Sequence, residues 1–397
     1  MNVLVLSDTF PNRLEPWRGP YNRRQVECLS RLCSVTVINP IPFPRLLAGP
    51  RMWNLARGRD DVIGGVPMWH PVFGYIPLLG RGRAWVGVLR AARRALKHGA
   101  AGDYDVILAT FAYPHGAAAR ALSAEMGIPY AVKARGSDLH ALPGRGARRE
   151  RTAEAVRDAA AVVAVSGNLA EIAVRLGADV RRVHVLLNGI DADAFSRKMP
   201  RPEARRVLGV DADGRILLFV GNLLPVKGLD VALRALGQGG QASESARFVI
   251  VGDGPMKRRL RRRAAGAGIA ERVKFMGRLG REEVALWMNA ADVLLLPSRN
   301  EGCPNVVLES LASGTPVVAS AVGAVPDLLD DSCGIAVPPD DPKALAEAIG
   351  RALRREWNRE AIHRRVAGMS WEANAAKLLD ILSGVAAAGS EPGPGLE

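Results

Sequence analysis

Cysteine is scarce in this 397-residue chain. Cys28, Cys33, Cys303 and Cys333 form no C-x-x-C pair, so neither a zinc ribbon nor a disulfide framework is indicated, and a reducing compartment fits. Long apolar runs are also missing, and none approaches the ~18 residues that a membrane span needs. Met1 leads straight into Val3-Leu4-Val5-Leu6, so no signal peptide is expected and a cytoplasmic location is. Hard metal ligands are thin. Asp191-Ala192-Asp193 and Asp211-Ala212-Asp213 have no further ligands beside them and read as turns or caps, so no metal is expected. No repeat of fixed period occurs.

Acidic residues fall short of basic ones, 40 against 54, giving a formal net charge of +14. The shortfall is greatest in residues 41–100, where Arg45, Arg51, Arg57, Arg59, Arg81, Arg83, Arg90, Arg93, Arg94 and Lys97 face only Asp60 and Asp61. Such a field favours anionic lipid, phosphate-bearing substrates or nucleic acid. No recognised nucleic-acid motif accompanies it, so nucleic acid is not the expected partner, and a non-enzymatic basic nucleic-acid-binding protein stands only as an alternative reading. From Trp69 to Lys97, the residues Trp69, Phe73, Tyr75, Ile76, Leu78, Leu79 and Trp85 are mixed with basic ones. That mixture suits either a helix seated on an anionic membrane or the core face of an amphipathic helix.

Short apolar runs alternate with longer helical patterns. Val3–Leu6, Val35–Ile38, Val106–Ala109, Tyr130–Val132, Val162–Val165 and Val183–Leu187 form a first series. Ile216–Val220, Phe248–Val251, Val273–Met276, Val293–Leu296, Pro316–Ala319 and Ile335–Val337 form a second. Continuous apolar strands are buried on both faces, and alternation with helices implies βαβ units. The chain is expected to form two doubly wound, Rossmann-like α/β domains, 1–195 and 196–370, joined through the polar stretch Ser196–Pro202. A helix over 371–385 and a disordered tail over 386–397 complete the expectation.

The most informative stretch runs from Ser298 to Ala312. An apolar strand ends in a polar turn, Gly302-Cys303-Pro304, and a helix opens near Asn305. Unpaired amides at a helix N-terminus accept phosphate. Glu301 and Glu309 flank the turn with seven residues between them, so one anion pocket is edged by two hydrogen-bond acceptors. A sugar nucleotide, a diphosphate with hydroxyls at both ends, suits that pocket. Gly221-Asn222-Leu223-Leu224-Pro225-Val226-Lys227-Gly228 also follows a strand and places a lysine at a helix start, suiting phosphate or only a surface turn. Gly252 and Gly254 permit close approach of backbone to a nucleoside, or a strained turn. Gly19-Pro20 precedes the first helix and could offer amides to a phosphate; a turn glycine is the plainer reading. His115 and Arg135-Gly136-Ser137-Asp138 follow strands, where ligands of open α/β sheets bind; a structural histidine and a loop ion pair are the alternatives. The basic run from Lys257 to Arg263 reads as a solvated helix face.

Together these motifs resemble glycosyltransferase family 4. Glu301 and Glu309 resemble its E-x7-E motif, and Lys227-Gly228 the end of its G-R-L-x-x-x-K-G motif. Ser166, Asn188-Gly189-Ile190-Asp191 and Phe195 resemble its S…NGVD…F segment, and Gly314–Ala319 its G-x-P-V-V-A strand. Pro16–Gly19 and Lys133–Asp138 faintly resemble enzymes of bacterial surface polysaccharide or teichuronic acid assembly. The resemblance implies a GT-B fold, two domains facing across a cleft, with the last helix crossing back to the first. It implies retaining transfer of a sugar from a nucleotide diphosphate, a UDP-sugar being favoured, to a glycan or lipid-linked acceptor, with no cofactor and no metal. On the donor side it implies Gly19, Asn222, Lys227, Gly252, Gly254, Arg278, Glu301, Gly302, Cys303, Pro304, Asn305 and Glu309. On the acceptor side it implies Arg135, Asp138 and Asn188, with His115, Glu301 and Lys227 nearest the chemistry. Asn222 departs from the family's diphosphate-binding arginine, Arg135 from a common histidine, and Gly19-Pro20 from a Gly-Gly pair. A sugar-nucleotide epimerase of the same fold is the nearest rival. A phosphorylase is disfavoured, because no feature marks a pyridoxal-phosphate lysine.

Overall fold

The computed structural model describes residues 1–12, 15, 18–42, 61–74, 81–140, 146–195, 199–238 and 245–390. Arg45, Arg51, Arg57, Arg59 and Asp60, the apolar residues Tyr75, Ile76, Leu78 and Leu79, Pro16-Trp17, the first part of the expected linker and the tail from 391 lie outside them. The chain divides into two compact units: unit 1 holds Met1–Gly189 and Trp371–Glu397, and unit 2 holds Ile190–Ser370. The division falls six residues before the expected 195/196 boundary. The reason is that Ile190 pairs with Ser370, and Phe195 is buried and accepts a hydrogen bond from Ser313, all inside unit 2.

Unit 1 contains β1 Asn2–Leu6, β2 Ser34–Ile38, β3 Ile41–Pro42, β4 Asp61–Ile63, β5 Val66–Trp69, β6 Val72–Phe73, β7 Val106–Thr110, β8 Tyr130–Ala134, β9 Ala161–Ala164 and β10 Val183–Val185. Eight of these form one sheet in the order β10-β9-β8-β7-β1-β2-β5-β4, parallel except for β4 against β5. All six anticipated strands are present. The four extra ones are two to four residues long and interrupted by Pro42 and Pro67. β4 and β5 join through Gly64-Gly65, both at positive φ (61° and 83°), a two-residue hairpin turn that was not singled out from the sequence.

Alternate strand residues Val3, Val5, Val35, Val37, Val106, Leu108, Ala131 and Val163 present one apolar face of the sheet. The helix Trp371–Ser390 lies in that core through Trp371, Ala375, Leu378, Leu382 and Val385, a stripe at helical spacing. Residues 386–390, expected to open a disordered tail, are its last turn, since Ala386, Ala387 and Ala388 are good helix formers on an anchored stem. A buried polar chain fixes it further: Lys133 donates to Gln25 at 2.6 Å, Gln25 to Asn374, and Asn374 to the Leu187 carbonyl at 2.6 Å.

Unit 2 contains β11 Ile216–Val220, β12 Arg247–Val251, β13 Val273–Gly277, β14 Val293–Leu296, β15 Val317–Ser320 and β16 Gly334–Val337. They form a wholly parallel sheet in the order β13-β12-β11-β14-β15-β16. This is the doubly wound order, whose direction reverses between β11 and β14. Every residue of β14 and β15 but Ser320 is at most 1% exposed, which is why both read as unbroken apolar runs.

Candidate active site

Ligands of open α/β sheets bind beyond the carboxyl ends of the strands where the order reverses. In unit 2 those ends belong to β11 and β14, and they lead into the Lys227 and Glu301 loops. The two side chains meet: Lys227 Nζ donates to Glu301 Oε1 at 2.7 Å. Ser298 Oγ donates to the same oxygen at 2.7 Å. Oε2 of Glu301 has no hydrogen bond among the described residues, so it is the oxygen able to accept from a hydroxyl. Lys227 is 24% and Glu301 10% exposed, so the pair sits at a surface and not inside the core.

The loops are locked to each other by backbone. Gly228 has φ 63°, and a Cβ there would stand 1.8 Å from the Pro297 carbonyl oxygen. Only glycine allows that approach. Arg299 donates its backbone N–H to Val226 at 2.8 Å and its guanidinium fork to Asp230 at 2.9 and 3.0 Å. That fork holds the Asp230 carboxyl below its usual range despite the opposing effect of burial. Behind the Glu301 turn, a Cβ on Gly323 would meet the Glu301 and Gly302 carbonyls at 2.4 and 2.5 Å, and Ala324 N–H bonds Gly302 O at 2.8 Å. Ser298, Arg299, Asp230 and Gly323 were not singled out from the sequence. The Ser-x-x-Glu spacing was the one available signal, and the others act through non-local contacts.

The helix Asn305–Ala312 begins at Pro304, with no side chain capping it and no acidic residue in its first turn, which favours an anion. Asn305 and Glu309 are four residues apart, share a face and are 8% and 9% exposed. Gly302 and Cys303 lie in the turn before it. Gly252 and Gly254 bring the β12 end against the β11 end: Cβ atoms there would reach Gly221 O at 1.9 Å and Leu223 O at 2.7 Å. Close backbone packing therefore already accounts for both glycines. Asn222 is exposed on the same loop. Asp253 caps Gly254 N–H at 2.8 Å and receives Lys257 at 3.0 Å; that bond chiefly lowers its pKa, and Arg278 adds to the effect.

In unit 1 the strand order reverses between β1 and β7. Gly19 follows β1 and His115 follows β7. Gly19 N-caps the helix Pro20–Leu29 in the left-handed conformation (φ 58°), where a Cβ would lie 2.0 Å from Thr9 O. His115 is 1% exposed, and neither ring nitrogen has a hydrogen-bond partner among the described residues. Its Nε2 stands 3.7 Å from Asp8, whose backbone carbonyl accepts from Arg18 at 2.8 Å. Burial pushes the imidazole pKa down; Asp8 and Asp138 oppose this, and Arg18 reinforces it. Just before it, Phe111 holds φ 117°, strained for a side chain with a Cβ. Asp138 is 2% exposed and accepts the N–H groups of Ala112, Gly136 and Arg135 at 2.9, 2.9 and 3.1 Å. Its carboxylate therefore ties the β7 and β8 loops together. Arg135 is half-buried beside it, and Asn188 is buried near the end of unit 1.

The amphipathic helix Ala84–Lys97 turns Val88, Leu89, Ala91, Ala92 and Ala95 inward. Arg93 is paired with Glu125 at 2.9 Å, and Arg94 bonds the Val72 carbonyl at 3.2 Å. Its apolar face is therefore core. Asp191 pairs with Arg281 at 2.7 Å, and Asp211 caps Asp213 N–H at 3.0 Å, as turn residues do.

Two doubly wound units, the second with a lysine and two glutamates around an uncapped helix start, define a glycosyltransferase of the GT-B fold, and the chain belongs to glycosyltransferase family 4. The family described as Glycosyltransferase Family 4 matches residues 20–194, and Glycosyl transferases group 1 matches residues 214–355. A Bacillus subtilis protein named as a teichuronic acid biosynthesis glycosyltransferase, TuaC, is 32% identical over 88% of this chain and 89% of its own. A D-inositol 3-phosphate glycosyltransferase of Xylanimonas cellulosilytica is 36% identical over 56% of each chain. Among solved structures, sucrose-phosphate synthase of Thermosynechococcus elongatus superimposes with a TM-score of 0.77 at 21% identity, covering 98% of this chain and 100% of its own. Anabaena HepE, solved with UDP, gives 0.73 at 18% identity over 97% and 100%.

Proposed function

We propose that the enzyme moves a sugar from a nucleotide diphosphate to an acceptor hydroxyl with retention of anomeric configuration, in the assembly of a bacterial glycan or glycolipid. The observation that carries this is the Lys227–Glu301 contact at the switch point of unit 2, beside an uncapped helix start. In the reaction the C1–O bond to the diphosphate breaks, the acceptor oxygen bonds to C1, and the acceptor proton passes to the departing diphosphate oxygen. The barrier is charge separation, which prepositioned donors lower. Lys227 and the amides of residues 303–305 face the leaving diphosphate. Glu301 Oε2 accepts from a sugar hydroxyl and Glu309 from the ribose. His115, kept neutral by burial, is suited to hydrogen-bond a sugar or acceptor hydroxyl. The UDP complex of HepE favours a UDP-sugar, and TuaC favours a polysaccharide acceptor. With the 303–305 amides and Lys227 turned to the diphosphate, the proposed reaction calls for no metal.

A lipid-linked acceptor would bring the enzyme to the inner face of the cell membrane, where the basic residues of segment 41–100 would meet anionic lipid. No helix among the described residues is long and apolar enough to cross a membrane. With the apolar face of Ala84–Lys97 used in the core, contact would be electrostatic and salt-sensitive. Co-sedimentation with anionic but not neutral vesicles, lost as salt rises, is the expected result; equal partition to both removes the membrane from the proposal. The transfer itself is tested by NMR of the product formed from a UDP-α-sugar. An α-linked product is expected, a β-linked one overturns retention, and an epimerised nucleotide sugar formed without acceptor favours the epimerase.

A further inference from the structure

We propose that unit 2 carries a second anion site, at the edge of its sheet opposite the Lys227 and Glu301 loops, which takes a small polyphosphorylated molecule. A cavity of about 500 Å³ opens there between Arg201, Arg215, Leu353, Arg354 and Trp357. Arg215 immediately precedes β11, and Asp292 immediately precedes β14. Those strands lead at their far ends to Lys227 and Glu301. At ~3.3 Å per residue, the two edges lie ~15 Å apart. The cavity is therefore not part of the donor site.

Its charge exceeds what the fold requires. Five arginines and two carboxylates line it. The simplest structural reading is that the arginines neutralise Asp292, which is 7% exposed. That carboxylate is already matched by Arg205 at 2.7 Å, Arg201 at 2.8 Å and the Ile216 amide at 2.7 Å. Arg205 is itself buried and does not line the cavity. Arg215 stands off at 3.7 Å and is half-exposed. Arg354 has no hydrogen bond or ion pair among the described residues and is exposed. The carboxyl end of the helix Pro342–Arg354 offsets about half a charge and leaves a surplus of roughly two or more.

The surplus is arranged for phosphate. Guanidinium forks match phosphate oxygens in pairs, and Arg215 and Arg354 offer them to one space. Beside them, Trp357 is held by its Nε1 bond to Ala352 O at 2.9 Å and covered by Arg355 at 4.4 Å. With Leu353 and Pro316 it supplies an apolar wall for an organic body. Phosphate chains could come from inorganic pyrophosphate or from a phosphorylated sugar or nucleoside.

The test titrates the full chain and its Lys227→Ala variant with inorganic pyrophosphate, following tryptophan fluorescence and heat. Pyrophosphate should bind Lys227→Ala within about threefold of wild type, and Arg215→Ser/Arg354→Ser should bind it at least tenfold more weakly. The fluorescence change should vanish in Trp357→Phe. Fructose bisphosphate, titrated into Lys227→Ala with and without the two arginine changes, identifies the source: tighter binding than pyrophosphate that those changes weaken assigns an organic phosphate, and a preference for pyrophosphate assigns an inorganic one. No pyrophosphate binding to Lys227→Ala, or undiminished binding to the double arginine variant, overturns the proposal. Should that variant fail to fold, a fluorescence change that persists in Trp357→Phe overturns it instead.

Discussion

Replacing Lys227 by alanine separates chemistry from stability. Its ammonium group donates to Glu301 at 2.7 Å and is one quarter exposed. A partly exposed pair of this kind contributes under ~1 kcal/mol to folding. For a unit of this size that is a fall in Tm of roughly 2–4 °C. The loop stays in place without the lysine, because the Arg299 fork on Asp230 and the Gly228 approach to Pro297 do not involve it. Facing a departing diphosphate, one well-placed donor is worth on the order of 3 kcal/mol, about a hundredfold in rate. The assay is initial-rate turnover at saturating donor beside a thermal melt. A hundredfold loss with a small melt shift is expected. A rate within about threefold of wild type removes Lys227 from the chemistry, and a fall in Tm beyond ~8 °C shows that it works mainly through the fold.

Glu301→Ala should impair turnover while leaving affinity for the bare nucleoside diphosphate near wild type, whereas Glu309→Ala should weaken that affinity; equal weakening by calorimetry refutes the division of roles. Gly228→Ala should cost at least ~2 kcal/mol in urea unfolding, because a Cβ would enter the Pro297 carbonyl at positive φ; an unchanged midpoint contradicts the packing. His115 has a pKa depressed by burial, so its neutral form stabilises the fold above the unfolded value near ~6.5, and that contribution fades as pH falls below it. Wild type should therefore lose stability relative to His115→Gln by up to ~1.4 kcal/mol per pH unit between pH 6.5 and 5.5, read from urea melts at both; parallel behaviour of the two proteins refutes the depressed pKa. Activity should survive EDTA; complete loss restored by magnesium or manganese refutes a metal-free reaction.

The parallel strands were legible because burial on both faces writes them as apolar runs, and β11, β14 and β15 fall within a residue of where those runs lie. The Lys227 and Glu301 loops were legible because each follows such a run. That they touch was not, since they lie 74 positions apart and only the strand order makes β11 and β14 neighbours. Asp138 was read only from its place after a strand; that it caps an amide of the β7 loop was not legible, since Ala112 lies 26 positions away. Arg93 and Arg94 contributed to a membrane signal on charge alone, while their partners Glu125 and Val72 lie elsewhere in the chain. The unit boundary slipped to 189/190 because polar linker composition marks exposure, whereas the division follows the pairing of Ile190 with Ser370.

The central claim is that a sugar nucleotide binds at the switch point of unit 2, and a thermal-shift comparison of UDP-, GDP- and ADP-sugars on wild type and Lys227→Ala tests it most directly. A ligand at a hundred times its Kd stabilises by about 2.7 kcal/mol. The account predicts a clear rise in Tm with one class of sugar nucleotide, UDP-sugars foremost, and little or none of that rise in Lys227→Ala. No shift with any of the three, or the same shift in both proteins, would contradict it.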